Sequence, residues 1–341
     1  MTADSYRKTP WNEPFIPQRA DPYILRAGGK WYFTASVPAY DRIILRAADT
    51  LAGLREAEEV IVWHAHASGP MSQHIWAPEL HFLRGAWYIY FAASEKEDIW
   101  KLRPWVLRCE GKDPLVGPWS ECGIPRRAAD DEYSFTDFSL DMTVFEHRDR
   151  LFCVWAEKVS TGRKISNLYL AEMEDPLTLK TPQLLLSAPA YAWERHGFWV
   201  NEGPAFTVEG DRVYLTYSAS DTGPAYCMGM LWAPVDAELT DISQWHRVNH
   251  PVLRTDVEKG LYGPGHNTFF RDEEGALWTA FHARPYDVIH GDPLYDPNRH
   301  CYLARVRFRD GLPAFEMMPQ RARSYRPSPI GGEASDGAAN F

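Results

Sequence analysis

Asn201-Glu202-Gly203-Pro204-Ala205-Phe206-Thr207-Val208-Glu209-Gly210-Asp211-Arg212-Val213-Tyr214-Leu215-Thr216-Tyr217 is the stretch on which the fold turns. It reads as a β-hairpin. A first apolar strand carries an acid at its start, the polar turn Glu-Gly-Asp-Arg follows, and the second strand is rich in β-branched and aromatic residues. Four further copies lie along the chain. Asp21-Pro22-Tyr23-Ile24-Leu25 leads through Gly28-Gly29-Lys30 into Trp31-Tyr32-Phe33-Thr34-Ala35-Ser36. Trp76-Ala77-Pro78-Glu79-Leu80-His81-Phe82 leads through Arg84-Gly85 into the strand opening at Trp87. Leu140-Asp141-Met142-Thr143-Val144-Phe145 precedes the strand from Leu151, and Gly265-His266-Asn267-Thr268-Phe269-Phe270 precedes the one from Leu277.

The second strands begin at Trp31, Trp87, Leu151, Val213 and Leu277, at intervals of 56, 64, 62 and 64 residues. A repeat of that length, each unit a small antiparallel sheet with an aromatic second strand, predicts an all-β, five-bladed propeller. One blade cannot bury both faces alone, so neighbours stack around an axis. The hairpins span about 21 to 310, which predicts one propeller domain over 1–320 and a disordered tail over 321–341.

The repeats also align polar residues. Asp21 stands 10 residues before Trp31 and Asp141 stands 10 before Leu151, while Glu202 and His266 stand 11 before Val213 and Leu277. Ala77 takes that slot in the second copy. Equivalent positions on the innermost strands of a propeller converge on its axis, so Asp21, Asp141, Glu202 and His266 are expected in one small pocket. Three carboxylates and a histidine point to acid–base chemistry. In glycoside hydrolysis one carboxyl must hold a proton at neutral pH while another is ionised, and a third nearby raises the pKa of the acid. No G-x-S-x-G, H-E-x-x-H, P-loop or complete G-x-G-x-x-G supports a nucleophile, zinc or nucleotide reading.

Composition narrows the partners. A formal charge of −10 argues against nucleic acid and anionic membrane, no apolar run approaches a membrane span, and a neutral polar ligand such as an oligosaccharide is compatible. The fourteen tryptophans suit blade packing or sugar stacking. Five cysteines with no C-x-x-C read as reduced thiols. Together with an N-terminus lacking an apolar signal core, they predict a cytoplasmic protein. Oligomeric state is not legible. His64 and His66 form an H-x-H pair with no further ligands, read as surface chemistry.

Arg19-Ala20-Asp21-Pro22-Tyr23, Ile75-Trp76-Ala77-Pro78-Glu79, Leu140-Asp141-Met142, Asn201-Glu202-Gly203-Pro204 and Gly263-Pro264-Gly265-His266-Asn267 together resemble glycoside hydrolase family 43. That family comprises five-bladed propeller enzymes including arabinofuranosidases, arabinanases and xylosidases. The resemblance implies an inverting single displacement with Asp21 as general base, Glu202 as general acid and Asp141 as the group that raises and orients Glu202. It requires no cofactor for the chemistry, and it implies a structural Ca²⁺ on the axis near His266. It also implies that an arginine on the last inner hairpin, Arg284, meets the sugar or an acid. Asp137 competes with Asp141, which is preferred for its register. Trp76, with the small Ala77 beside it, is expected as a sugar-facing wall, joined by Phe91, Trp193 and Trp199, with Glu79 on the same strand face as Ala77. Val37–Arg42 and the loop around Gly291–His300 look like those of the exo-acting α-L-arabinofuranosidases. Release of terminal L-arabinofuranose is therefore the main expectation. A β-xylosidase, an endo-arabinanase and a non-catalytic sugar-binding propeller are the alternatives.

Overall fold

The computed structural model describes residues 11–158 and 165–317. The expected tail lies outside the described residues. Five antiparallel blades follow one another in the chain. Blade one holds β1 (Ala20–Ala27), β2 (Lys30–Ser36), β3 (Arg42–Ala48) and β4 (Val60–His64). Blade two holds β5 (Gln73–Leu83), β6 (Ala86–Ser94), β7 (Arg103–Cys109) and β8 (Ser120–Gly123). Blade three holds β9 (Ser139–His147), β10 (Arg150–Lys158) and β11 (Ile165–Asp175), edged by β12 (Thr178–Leu179) and β13 (Leu184–Ser187). Blade four holds β14 (Trp199–Glu209), β15 (Arg212–Ala219), β16 (Cys227–Pro234) and β17 (His246–Arg247). Blade five holds β18 (Tyr262–Arg271), β19 (Leu277–Arg284), β20 (His300–Arg309) and β21 (Leu312–Met317).

All five expected hairpins are present, each second strand beginning within a residue of the position read from its aromatic run. The tight turns Gly28-Gly29, Arg84-Gly85 and Arg148-Asp149 have positive φ at both central residues, the conformation whose twist matches a two-residue hairpin. β20 is followed by β21, the edge strand of blade five, whose residues are exposed or half-buried. Blades three and four are joined by a short parallel contact, Ile165 to Trp199 and Ser166 to Val200.

The second strands read as unbroken apolar runs because both their faces are covered. Every residue of β6 is buried. Between blades one and two, Ile43 and Leu45 meet Leu80, Trp87 and Ile89. Between blades two and three, Tyr88 and Tyr90 meet Val144 and Trp155. Between blades five and one, Phe270 and Leu303 meet Ile24, Trp31 and Phe33, with the Trp31 ring edge-on to Phe270 at 5.6 Å. Each such side chain contributes about 1.5–3 kcal/mol by leaving water. The ring closes through the lead-in segment. Phe15 N–H donates to the Cys301 carbonyl at 2.8 Å, Cys301 N–H donates to the Ile16 carbonyl at 2.9 Å, and Gln18 N–H donates to His300 Nδ1 at 2.9 Å. Residues just before β1 are thereby stitched to β20.

Candidate active site

Each innermost strand slips in register at a matching place near its start: between Ala20 and Tyr23, Trp76 and Glu79, Leu140 and Thr143, Glu202 and Ala205, and Gly265 and Thr268, with a second slip just before it in β5 and β18. The first residue inside each slip has positive φ: Asp21 (52°), Ala77 (46°), Asp141 (54°), Gly203 (51°) and His266 (46°). These are β-bulges, and a bulge re-aims a side chain out of the alternating pattern. A non-glycine residue in this left-handed region costs about 1–3 kcal/mol, so four strained residues stand side by side at the axis.

This geometry corrects the register of Glu202. The slot in blade four belongs to Gly203, and Glu202 stands one residue earlier, where the other blades place Ala20, Trp76, Leu140 and Gly265. Counting back from the second strand failed because the turn of blade five is one residue longer, which made His266 and Glu202 look equivalent. Gly203 has a steric role: a Cβ there would lie 3.1 Å from the His266 ring.

The bulges are held by a hand-over from blade to blade. The residue facing the pre-bulge position on the second strand is Ser36, Ala92, Ala156, Ser218 or His282. Ser36 Oγ accepts the Ala77 N–H at 2.8 Å and donates to Asp21 Oδ2 at 2.6 Å. Ser218 Oγ accepts the His266 N–H at 2.7 Å. Across the ring closure, His282 Nδ1 lies 3.2 Å from the Asp21 N–H and 3.1 Å from Asp21 Oδ1. The same nitrogen is acceptor in one tautomer and donor in the other. Ala156 can accept nothing, and the Gly203 N–H donates instead to Asp141 Oδ2 at 3.0 Å.

Asp21, Asp141, Glu202 and His266 are thus brought together. His266 Nδ1 lies 3.3 Å from Asp21 Oδ1 and 3.7 Å from Asp141 Oδ2. Burial alone would push the Asp21 carboxyl up. His266, Arg299, whose Nη1 is 3.7 Å from Oδ1, and His282 overcome that and hold it well below the usual range. Asp141 is driven the other way, by burial and then by the Asp21 charge. Burial, followed by the Asp141 charge, pushes Glu202 up to about 8. Tyr226 donates to Glu202 Oε1 at 2.7 Å. The pocket therefore holds one carboxyl that stays ionised and one, only half-buried, that stays protonated at neutral pH.

The other expected residues divide. Trp76 is partly exposed beside Ala77, its ring stacked on His74 at 4.3 Å with Tyr40 edge-on at 5.6 Å. Phe91 is not a wall. It is 2% exposed and packed with Trp63 in the core between blades one and two. Trp199 is half-buried and carries the Arg195 guanidinium 4.5 Å from its ring centre, which covers one of its faces. Trp193 packs on the blade-three and blade-four core and donates to the Asn249 carbonyl at 3.1 Å. Arg284 is a brace: it donates to the Thr222 carbonyl at 2.6 Å and the Pro293 carbonyl at 2.5 Å, and the arginine beside Asp21 is Arg299. Glu79 is buried and pairs with His81 at 2.9 Å, which in turn meets the Tyr23 hydroxyl at 3.2 Å. Asp137 turns to its own chain, accepting the Phe138 N–H at 2.7 Å. His66 pairs with Glu121 at 2.8 Å.

Calcium does not fit His266 directly. Calcium takes six to eight oxygens. The oxygens around His266 belong to Asp21 and Asp141, and these already meet Ser36, His282, Arg299 and the Gly203 N–H. Among the described residues no group of three or more His, Cys, Asp or Glu side chains is disposed to hold a metal ion. No helix among them is long and apolar enough to cross a membrane.

Residues 11–313 match the model of Glycosyl hydrolases family 43. The chain belongs to this family. Family 43 enzymes with similar sequences include the "Extracellular exo-alpha-(1->5)-L-arabinofuranosidase" of Streptomyces avermitilis, 42% identical over 92% of this chain and 65% of its own length. The protein of the same name from Streptomyces chartreusis is 45% identical over 84% of this chain and 86% of its own. The chain thus spans just under two thirds of the first relative. Among solved structures, an α-L-arabinofuranosidase from Lactobacillus brevis superposes with a TM-score of 0.85 at 42% identity, covering 95% of this chain and all of that one. The family places the chain among the five-bladed glycoside hydrolases, whose chemistry needs no cofactor.

The expectation of a cytoplasmic protein is overturned by these relatives, which are named extracellular and point to a secreted protein. The expectation leaned on unpaired thiols. All five cysteines are free, but Cys109, Cys153, Cys227 and Cys301 are buried, where a thiol acts as a small apolar core residue and carries no information about compartment.

Proposed function

We propose that this family 43 protein is an inverting, exo-acting α-L-arabinofuranosidase that releases terminal L-arabinofuranose from arabino-oligosaccharides or arabinan side chains. The observation that carries the reading is the opposite displacement of two carboxyls in one pocket, Asp21 downward and Glu202 upward. Separated pKa values assign base and acid. Asp21 takes a proton from a water as that water attacks the anomeric carbon. Glu202 gives its proton to the departing glycosidic oxygen, so water is added across the broken bond and the configuration inverts. Asp141, sharing the pocket with Glu202, disfavours ionisation of both acids together and accepts the adjacent Gly203 N–H. His266, between Asp21 and Asp141, orients both acids, and no step is routed through a metal.

The names of the relatives supply the sugar. Exo action is supported by the loop following β19. Its Leu294 carbonyl accepts from the Tyr40 hydroxyl at 2.5 Å, and its Tyr295 hydroxyl meets His74 Nε2 at 3.1 Å, both beside Trp76. A loop tied down there walls one side of the pocket. The test is hydrolysis of an α-1,5-linked arabino-oligosaccharide followed by proton NMR, beside 4-nitrophenyl β-D-xyloside as rival. Stepwise loss of terminal arabinose with the β-anomer formed first supports the reading. Preference for the xyloside, internal cleavage, or first formation of the α-anomer overturns it.

A further inference from the structure

We propose that Tyr226 acts as a one-way hydrogen-bond relay that fixes which oxygen of Glu202 carries the transferable proton. The inference rests on the reading of Glu202 as the acid and deepens it. The phenol has a single hydrogen and spends it on Glu202 Oε1 at 2.7 Å. Oε1 is therefore the acceptor and the carboxyl proton sits on Oε2, the oxygen left to meet the substrate.

The relay cannot easily run backwards. Tyr226 is 1% exposed, and burial followed by the Glu202 charge raises its phenol well above its ordinary value, so it remains a donor. Its ring lies parallel to His282, 6° apart with centres at 5.5 Å, and His282 Nδ1 in turn meets Asp21. The seat is carved by Gly265, where a Cβ would fall 2.4 Å from the Tyr226 ring and 2.9 Å from Ser218 Oγ. Base and acid are thus referred to one aromatic stack. Tyr226 is a positioning residue acting through Glu202.

The test is Tyr226→Phe, assayed on α-1,5-arabinobiose and on 4-nitrophenyl α-L-arabinofuranoside. The biose needs its leaving oxygen protonated, whereas the nitrophenolate needs little help. The expected result for Tyr226→Phe is a kcat on the biose about tenfold or more lower, KM within about twofold, and a loss on the nitrophenyl substrate under about threefold. The lost hydrogen bond had favoured the ionised carboxylate, so the alkaline limb of kcat/KM moves to higher pH. Equal losses on both substrates with an unmoved pH profile overturn the relay and leave Tyr226 as packing. Glu202→Ala in the same assay separates the two ideas: if it still hydrolyses the biose as the unaltered enzyme does, the assignment of the acid falls, and the relay with it.

Discussion

In blade one the bulged residue itself carries the carboxylate, whereas in blade four the bulged residue is glycine and the carboxylate stands one position earlier. The backbone device is the same, with φ of 52° at Asp21 and 51° at Gly203. The electrical outcome is opposite because the neighbours differ. Asp21 faces His266, Arg299 and His282, and loses its proton readily. Glu202 is pushed up by burial and then by the acid it faces, Asp141, and keeps its proton although the Tyr226 phenol favours the carboxylate. Shifting one acid by one residue along an otherwise equivalent strand moves it from a cationic setting to an anionic one. On the proposed reading, a base and an acid then come from a single repeated hairpin.

The comparison is broken most severely by Asp21→Asn. We expect kcat to fall about 10³–10⁴-fold in steady-state assays. The substitution should also lower Tm at neutral pH, because the Asp21 pKa is depressed in the fold. Its contribution is present above the ordinary carboxylate pKa and disappears as pH falls through the depressed value, so the Tm gap should close in strong acid. Glu202→Gln should cost about 10²–10³-fold on an oligosaccharide yet act oppositely on stability. The unfolded carboxyl ionises at its ordinary value while the folded one holds its proton up to about 8, so rising pH costs the native state between those two values, and glutamine is spared this. Scanning calorimetry at pH 9 should give a Tm about 2–4 °C above the unaltered protein, with the gain lost near pH 4. A Tm change of the same sign in both variants would end the contrast.

Gly203→Ala sharpens it more gently. The new Cβ would press on the His266 ring at 3.1 Å in a left-handed conformation, so kcat should fall about tenfold with a lower Tm. Ala77→Gly in blade two, whose slot bears no acid, should leave kcat within about twofold and raise stability by about 0.5–1 kcal/mol in urea titration by relieving the same strain. If Ala77→Gly destabilises the protein, the bulge is not a strained position in that blade.

The aromatic second strands made the five blades legible, because a strand buried on both faces must be apolar throughout. Convergence of Asp21, Asp141 and His266 was legible for the same reason: a repeat maps sequence distance onto one axis. The bulge was not. It adds a residue without altering composition, and the longer turn of blade five cancelled its trace in the count for Glu202. Ser36, Ser218 and His282 were recoverable, since each stands five residues into its second strand, at Trp31, Val213 and Leu277 plus the same offset. Tyr226 and Arg299 lie in connecting segments with no register, so only folding shows whom they meet. Phe91 was misjudged because aromatic character serves core and sugar alike, and burial alone separates them.

The stitch between Phe15-Ile16 and Cys301 carries one more consequence. Asp21, the proposed general base, lies a few residues beyond that seam, and its counter-charges, Arg299 and His282, come from the far side of it. First and last blades must meet before Asp21 has the surroundings of a strong acid's conjugate base. On the proposed reading, catalytic competence is a built-in inspection of the finished ring: a chain that has stacked its blades but left the seam open would hold every proposed catalytic residue and remain inert.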